Sequence, residues 1–109
     1  KAIDAILPNG IRPEVLPRLL NDVTPFVYPH MEFASRVEGD VVLRLWIDTS
    51  GTPVHDSTKL QQHAERMAFD SAALAGASRL RFSPAMQTGQ PVAVFVLLSV
   101  QFRRAKAPE

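Results

Sequence analysis

Val41-Val42-Leu43-Arg44-Leu45-Trp46-Ile47-Asp48 alternates in character along its whole length. Val41, Leu43, Leu45 and Ile47 fall on one side of an extended chain, and Val42, Arg44, Trp46 and Asp48 on the other. A period of two with one apolar face is the signature of a half-buried strand. Glu38-Gly39-Asp40 precedes it as a turn. Thr49-Ser50-Gly51 follows as another, with Gly51 supplying the positive φ that a tight hairpin needs. Residues 52–60 are expected to return as a second strand. Pro53 has no N–H to give to a ladder and places that strand at an edge or a strand start.

A second alternating run lies near the end of the chain. Val92, Val94, Val96, Leu98, Val100 and Phe102 share one face, and Ala93, Phe95, Leu97, Ser99 and Gln101 the other. Between the two runs, residues 64–80 read as a helix. Phe69, Ala73, Gly76, Ala77 and Leu80 form one stripe at i, i+4, i+7, i+8 and i+11. Small residues at 72, 73, 76 and 77 let such a helix sit close on a sheet. Arg79 and Arg81 suit the dipole at its end, and Ser83-Pro84 stops it. Residues 87–91 read as a loop. Upstream, residues 30–35 form a short helix after Tyr28-Pro29, and residues 13–22 another with Pro13 at its first position. These elements add up to an α+β domain. Two helices pack on one face of a three-stranded antiparallel sheet, behind an N-terminal extension.

Composition bounds the function. The 109 residues are 46% hydrophobic and 21% charged, in the range of one globular domain. With no cysteine, disulfides, thiolate metal sites and cysteine nucleophiles are excluded. A net charge of +1 gives no nucleic-acid footprint. No apolar run approaches the ~20 residues of a membrane helix. Of 9 prolines, Pro8, Pro13, Pro17, Pro25 and Pro29 crowd the front. Together with a first residue that is Lys, this suggests a piece of a longer protein behind a stiff lead-in. Ile3, Ile6, Leu7, Val15, Leu16, Leu19 and Leu20 make that lead-in too apolar for a bare linker.

Catalytic chemistry finds little support. His30, His55 and His63 show no metal-ligand spacing, and neighbours such as His55 and Asp56 on a strand point to opposite faces. No Gly-x-Ser-x-Gly elbow and no glycine-rich phosphate loop occur. Arg103, Arg104 and Lys106 read as a solvated basic terminus. The feature that stands out is residues 92–98, apolar on both faces. A sheet covered by helices on one side should be polar on the other, yet Phe95 and Leu97 face outward, with Trp46 on the matching face. The lead-in, a second copy of the chain or a partner would cover them. An edge strand of this kind also accepts another chain by β-augmentation.

Tyr28-Pro29, then Val37-Glu38-Gly39-Asp40 running into the first strand to Asp48, then Gly51-Thr52-Pro53-Val54, together resemble the carboxy-terminal domain of TonB-type energy transducers. Phe69-Asp70-Ser71-Ala72-Ala73-Leu74 is similar to that family's helix start. Leu80-Arg81-Phe82-Ser83-Pro84-Ala85 is similar to its exit, and Gly89-Gln90-Pro91-Val92 with the following alternation to its final strand. The ordered set covers about residues 23–104, leaving 1–22 as an extension or spacer end and 105–109 as a tail.

The resemblance implies a periplasmic module anchored in the inner membrane by an upstream segment. It implies binding of the amino-terminal box of outer-membrane receptors by strand addition, and coupling to an inner-membrane motor complex through regions outside this chain. No cofactor, metal, catalytic activity or nucleic acid is implied. The docking edge is then Val92, Ala93, Val94, Phe95, Val96, Leu97, Leu98, Ser99 and Val100. Pro25-Phe26-Val27-Tyr28 would touch the receptor too, and Trp46 would add to the surface. The alternative is a structural or assembly domain of a cell-envelope complex that uses the same fold to form a homodimer or to dock, without energy transduction.

Overall fold

A computed structural model describes residues 3–104. The tail at 105–109, with Lys106, and the first two residues lie outside the described residues. The elements in chain order are β1 (Ala5–Ile6), α1 (His30–Ala34), β2 (Gly39–Ile47), a 3₁₀ turn (His55–Ser57), β3 (Lys59–Gln62), α2 (Met67–Ala77), β4 (Ala85–Gln87), β5 (Gln90–Val92) and β6 (Val94–Phe102). The main sheet is antiparallel with order β1-β6-β2-β3. Its centre is the pair β2 and β6, joined from Gly39 opposite Phe102 to Ile47 opposite Val94. The three expected strands are present, and the lead-in adds a fourth.

The alternation read from sequence is the alternation of burial. Val41, Leu43, Leu45 and Ile47 are fully buried, as are Val94 and Val96, with Val100 and Phe102 nearly so. Each such side chain contributes about 1.5–3 kcal/mol over the exposed state. On this face lies α2, which turns Phe69, Ala73, Gly76 and Ala77 inward. Gly76 is where the helix meets the lead-in, because a Cβ there would run into the Phe26 ring and the Pro25 carbonyl. Helix α1 is joined to the rest by an edge-to-face contact of Phe33 with Tyr28 at 5.1 Å and by Glu32, 3.6 Å from Arg66 at the start of α2.

Four segments depart from the sequence reading. Residues 13–22 are extended, not helical: Val15 bridges to Met86 and Leu19 to Phe82. Pro17 is the cause, since inside a helix it removes a donor and crowds the preceding turn; here it is fully buried instead. The helix at 64–80 is shortened to Met67–Ala77. Asp70, itself buried, accepts the Ala64 N–H at 2.8 Å and lies 3.0 Å from His63 Nδ1, which holds the preceding residues in a turn. The returning strand at 52–60 is interrupted. Pro53 bridges to Ile47, the 3₁₀ turn intervenes, and pairing resumes at β3.

The expected loop at 87–91 is a β4–β5 hairpin. Thr88 and Gly89 both have positive φ, 49° and 75°, the pairing a two-residue turn requires. Val92 therefore belongs to this hairpin, and β6 begins only at Val94.

The turn after β2 is organised by Asp48. Its Oδ1 accepts the Ser50 N–H at 2.9 Å, the Ser50 hydroxyl at 2.6 Å and the Thr52 N–H at 3.0 Å. The Ser50 hydroxyl first, then the backbone N–H groups, hold this carboxylate below its ordinary value of 3.8. Its stabilising contribution is thus complete above the unfolded value and is lost as pH falls through the lower, folded one. Asp48→Asn keeps an acceptor but loses the charge. Thermal melts are expected to show a deficit of a few tenths to about 1 kcal/mol at pH 7, small because water screens the site. That deficit should close as the pH is taken below the ordinary carboxylate value; a gap constant with pH would count against the charge.

Candidate strand-docking groove

β6 has a partner strand along its whole length on one side only. On the other side β1 pairs just two of its residues, Ala5 opposite Val96 and Ile6 opposite Phe95. Among the described residues no strand pairs with 98–102 on that side. A strand with a neighbour on one edge leaves every second residue's N–H and C=O directed to the open edge. Beside this free length runs a groove of about 430 Å³. Residues 98–103 form one wall, and Leu19, Pro25, Phe26, Tyr28 and Leu80 face them across it.

The far wall is built by the lead-in, and its position is set by packing. The Leu20 N–H donates to the Arg81 carbonyl, the Arg81 N–H to Asn21 Oδ1 and the Ser83 N–H to the Arg18 carbonyl, each at 2.8 Å. Tyr28 is fixed from three sides: its ring meets Phe33, Phe69 and Phe102 edge to face, and its hydroxyl donates to the Val37 carbonyl. Arg103 closes the groove's end. Its guanidinium is 2.7 Å from Asp40 Oδ1, and the hydrogen bond to that carboxylate raises its already high pKa. Arg104 lies over the Phe33 ring at 4.8 Å and donates its N–H to Glu38. These two arginines are tied to the domain and do not form the freely solvated terminus expected from sequence.

The expected site residues fall into four groups. Leu98, Ser99 and Val100 meet Pro25, Phe26 and Tyr28 across the groove, while Val27 is 69% exposed. Val94 and Val96 are buried in the core, with Val96 paired to β1. Val92 and Ala93 sit half-buried before β6. Phe95, Leu97 and Trp46 belong to the opposite face. Trp46 packs on Phe95 at 4.5 Å, the Arg44 guanidinium caps Phe95 at 4.3 Å, and Leu97 is 60% exposed. The outer aromatic pair is therefore separate from the groove.

Gln101 and Phe102, at the end of the last strand, also line the groove, as do Leu19, Asn21, Thr24, Leu80 and Arg103, which were not among the expected docking residues. The apolar Leu19 among prolines was their one visible signal. His63 is held by Asp70, and among the described residues no three of His, Asp and Glu converge as a metal ligand set. No helix among them is long and apolar enough to cross a membrane.

The fold has a counterpart among solved structures. The solution NMR structure of the Pseudomonas aeruginosa TonB carboxy-terminal domain superimposes with a TM-score of 0.67 over 84% of this chain and 90% of that one. The two are 24% identical, so this likeness speaks for the fold alone. No curated protein matches the sequence. The family described as the C-terminal of the Gram-negative bacterial TonB protein matches residues 24–103, which take in the far wall from Thr24, the sheet from β2 to β6 and Arg103. The chain belongs to the TonB C-terminal domain family.

Proposed function

We propose that this domain is a periplasmic protein-binding module of a TonB-like energy transducer. It engages the extended amino-terminal box of an outer-membrane receptor by adding it as a strand to β6. One observation carries the reading: the open backbone edge at 98–102 borders an apolar groove whose far wall is the Pro25–Tyr28 segment. Backbone groups on the edge supply affinity, and the groove seats alternate side chains of the incoming strand. Residues 23–104 form the binding domain, and 105–109 a tail. The upstream chain tethers it to the inner membrane, where a motor complex pulls through regions outside this sequence. The domain binds its partner and transmits force through it.

The test is a titration of the ¹⁵N-labelled domain with a synthetic receptor-box peptide. Amide resonances of 98–103 and of 24–28 are expected to move together, because the two walls clasp one strand. If those resonances stay in place at saturating peptide, or only those of the other edge strand β3 move, docking at β6 is refuted.

A further inference from the structure

The docking edge is not uniformly available. Ala5 and Ile6 already lie along Phe95 and Val96 as a strand, in the place an incoming chain would take if it followed β6 toward its start. The free length is residues 98–102.

Two parts of the lead-in are held very differently. Residues 13–20 are clamped. Pro13 and Pro17 are buried, Val15 exchanges two backbone hydrogen bonds with Met86 at 3.0 Å, and the Arg18 N–H donates to Ser83 Oγ at 2.9 Å. Residues 3–11 are held more lightly, with Ile3 and Leu7 packed only in part against the core. Their strand is two residues long, and of its side chains only Ala5, a single methyl, is buried; Ile6 is 44% exposed. Residues 7–11 fold onto themselves, with Leu7 N–H to the Ile11 carbonyl and Gly10 N–H to the Leu7 carbonyl, both at 2.8 Å. The Asp4–Arg12 ion pair at 3.1 Å is largely solvated and adds little. One further bond, Ile3 N–H to the Pro17 carbonyl at 2.8 Å, ties the arm to the clamp and not to the sheet.

From this contrast we infer that residues 3–11 are an autoinhibitory strap over the Phe95–Val96 part of the receptor edge. An extended peptide lands on 98–102 and reaches Phe95 only by displacing Ala5 and Ile6 strand for strand. The seat opened opposite Val96 was filled by a methyl group, so the displacing strand presents a small apolar side chain there. The proposal rests on the docking function above. It predicts that apparent affinity is reduced by the fraction of molecules with the strap in place.

The absence of native cysteine permits a direct test. The double variant Ala5→Cys, Val96→Cys joins directly opposed residues of β1 and β6. Its oxidised and reduced forms share one sequence, so any difference in their binding comes from the lock. Ala5→Asp places a charge in the buried seat and releases the strap. The probe is the synthetic receptor-box peptide, followed by calorimetry and by hydrogen exchange at Ala5 and Ile6.

The oxidised form is expected to bind on the order of tenfold more weakly than the reduced form. Ala5→Asp should bind more tightly than the native chain, and the peptide should speed exchange at Ala5 and Ile6. Equal affinity of oxidised and reduced forms, with exchange at Ala5 unchanged, overturns the strap and leaves docking at 98–102 standing. No binding by any form overturns the docking reading and the strap with it. Should Ala5→Asp fail to fold, the oxidised and reduced pair still decides.

Discussion

Gly51→Ala is expected to destabilise the domain by about 3 kcal/mol or more, read as a lower urea midpoint with an unchanged slope. Two independent costs meet at this residue. Its φ is +85°, a conformation side chains resist. It is also buried, and a Cβ would stand on the Phe82 carbonyl oxygen. Backbone atoms have no rotamer to escape into, so the turn or the chain at Phe82 has to move. That segment cannot move freely, because the Phe82 N–H donates to the Gly51 carbonyl at 3.0 Å and Phe82 bridges to Leu19 on the groove's far wall. The damage should thus spread from a β-turn to the groove. Gly89→Ala is the control. Its φ is +75° but no atom lies where its Cβ would go, so about 1 kcal/mol is expected from conformation alone. Equal losses at the two glycines would show that the close approach at Gly51 contributes nothing.

Which parts of this fold were legible in the sequence follows from how local their determinants are. β2 and β6 are long and alternate strictly, so their direction and buried faces could be read from residues 41–48 and 92–102 without any tertiary knowledge. The stripe from Phe69 to Leu80 was equally plain, as was the turn at Gly51. The hairpin of β4 and β5 was not, because three-residue strands carry no measurable period and Thr88 is an unusual residue for positive φ. Residues 13–22 were misread for a related reason. Their helix-like spacing is local, whereas the bonds that hold them extended run to Arg81, Ser83 and Met86, more than sixty residues away.

The groove shows the same division. Its near wall is the alternating strand, and of its far wall Pro25, Phe26 and Tyr28 were named through the Tyr-Pro motif of the family, whereas Leu19 and Leu80 were not. That the lead-in joins the sheet at its edge, leaving Leu97 exposed, depends on a two-residue pairing that no sequence pattern marks.

Phe69→Ala is expected to cost about 3–5 kcal/mol, the range for emptying a buried aromatic site, and to lower the melting temperature by roughly 15 °C or more. Phe69 is fully buried and stacks on Phe102 at 5.0 Å, with Tyr28 meeting it edge to face at 5.8 Å. It thereby joins three pieces: α2, the end of β6 and the segment that carries the far wall. The whole stability of a small domain is about 5–15 kcal/mol, so this single ring carries a large share of it. Phe33 touches the same Tyr28 ring but is 45% exposed, and Phe33→Ala should cost about 1 kcal/mol. The pair separates two ideas of what the aromatic cluster does. If it merely covers surface, both losses are small. If it sets the spacing between Tyr28 and β6, Phe69→Ala should also weaken peptide binding at temperatures where the variant is still folded, because the groove's walls would no longer be held at the width of one strand. Phe33→Ala, on the outside of the cluster, should leave that width and the binding unchanged.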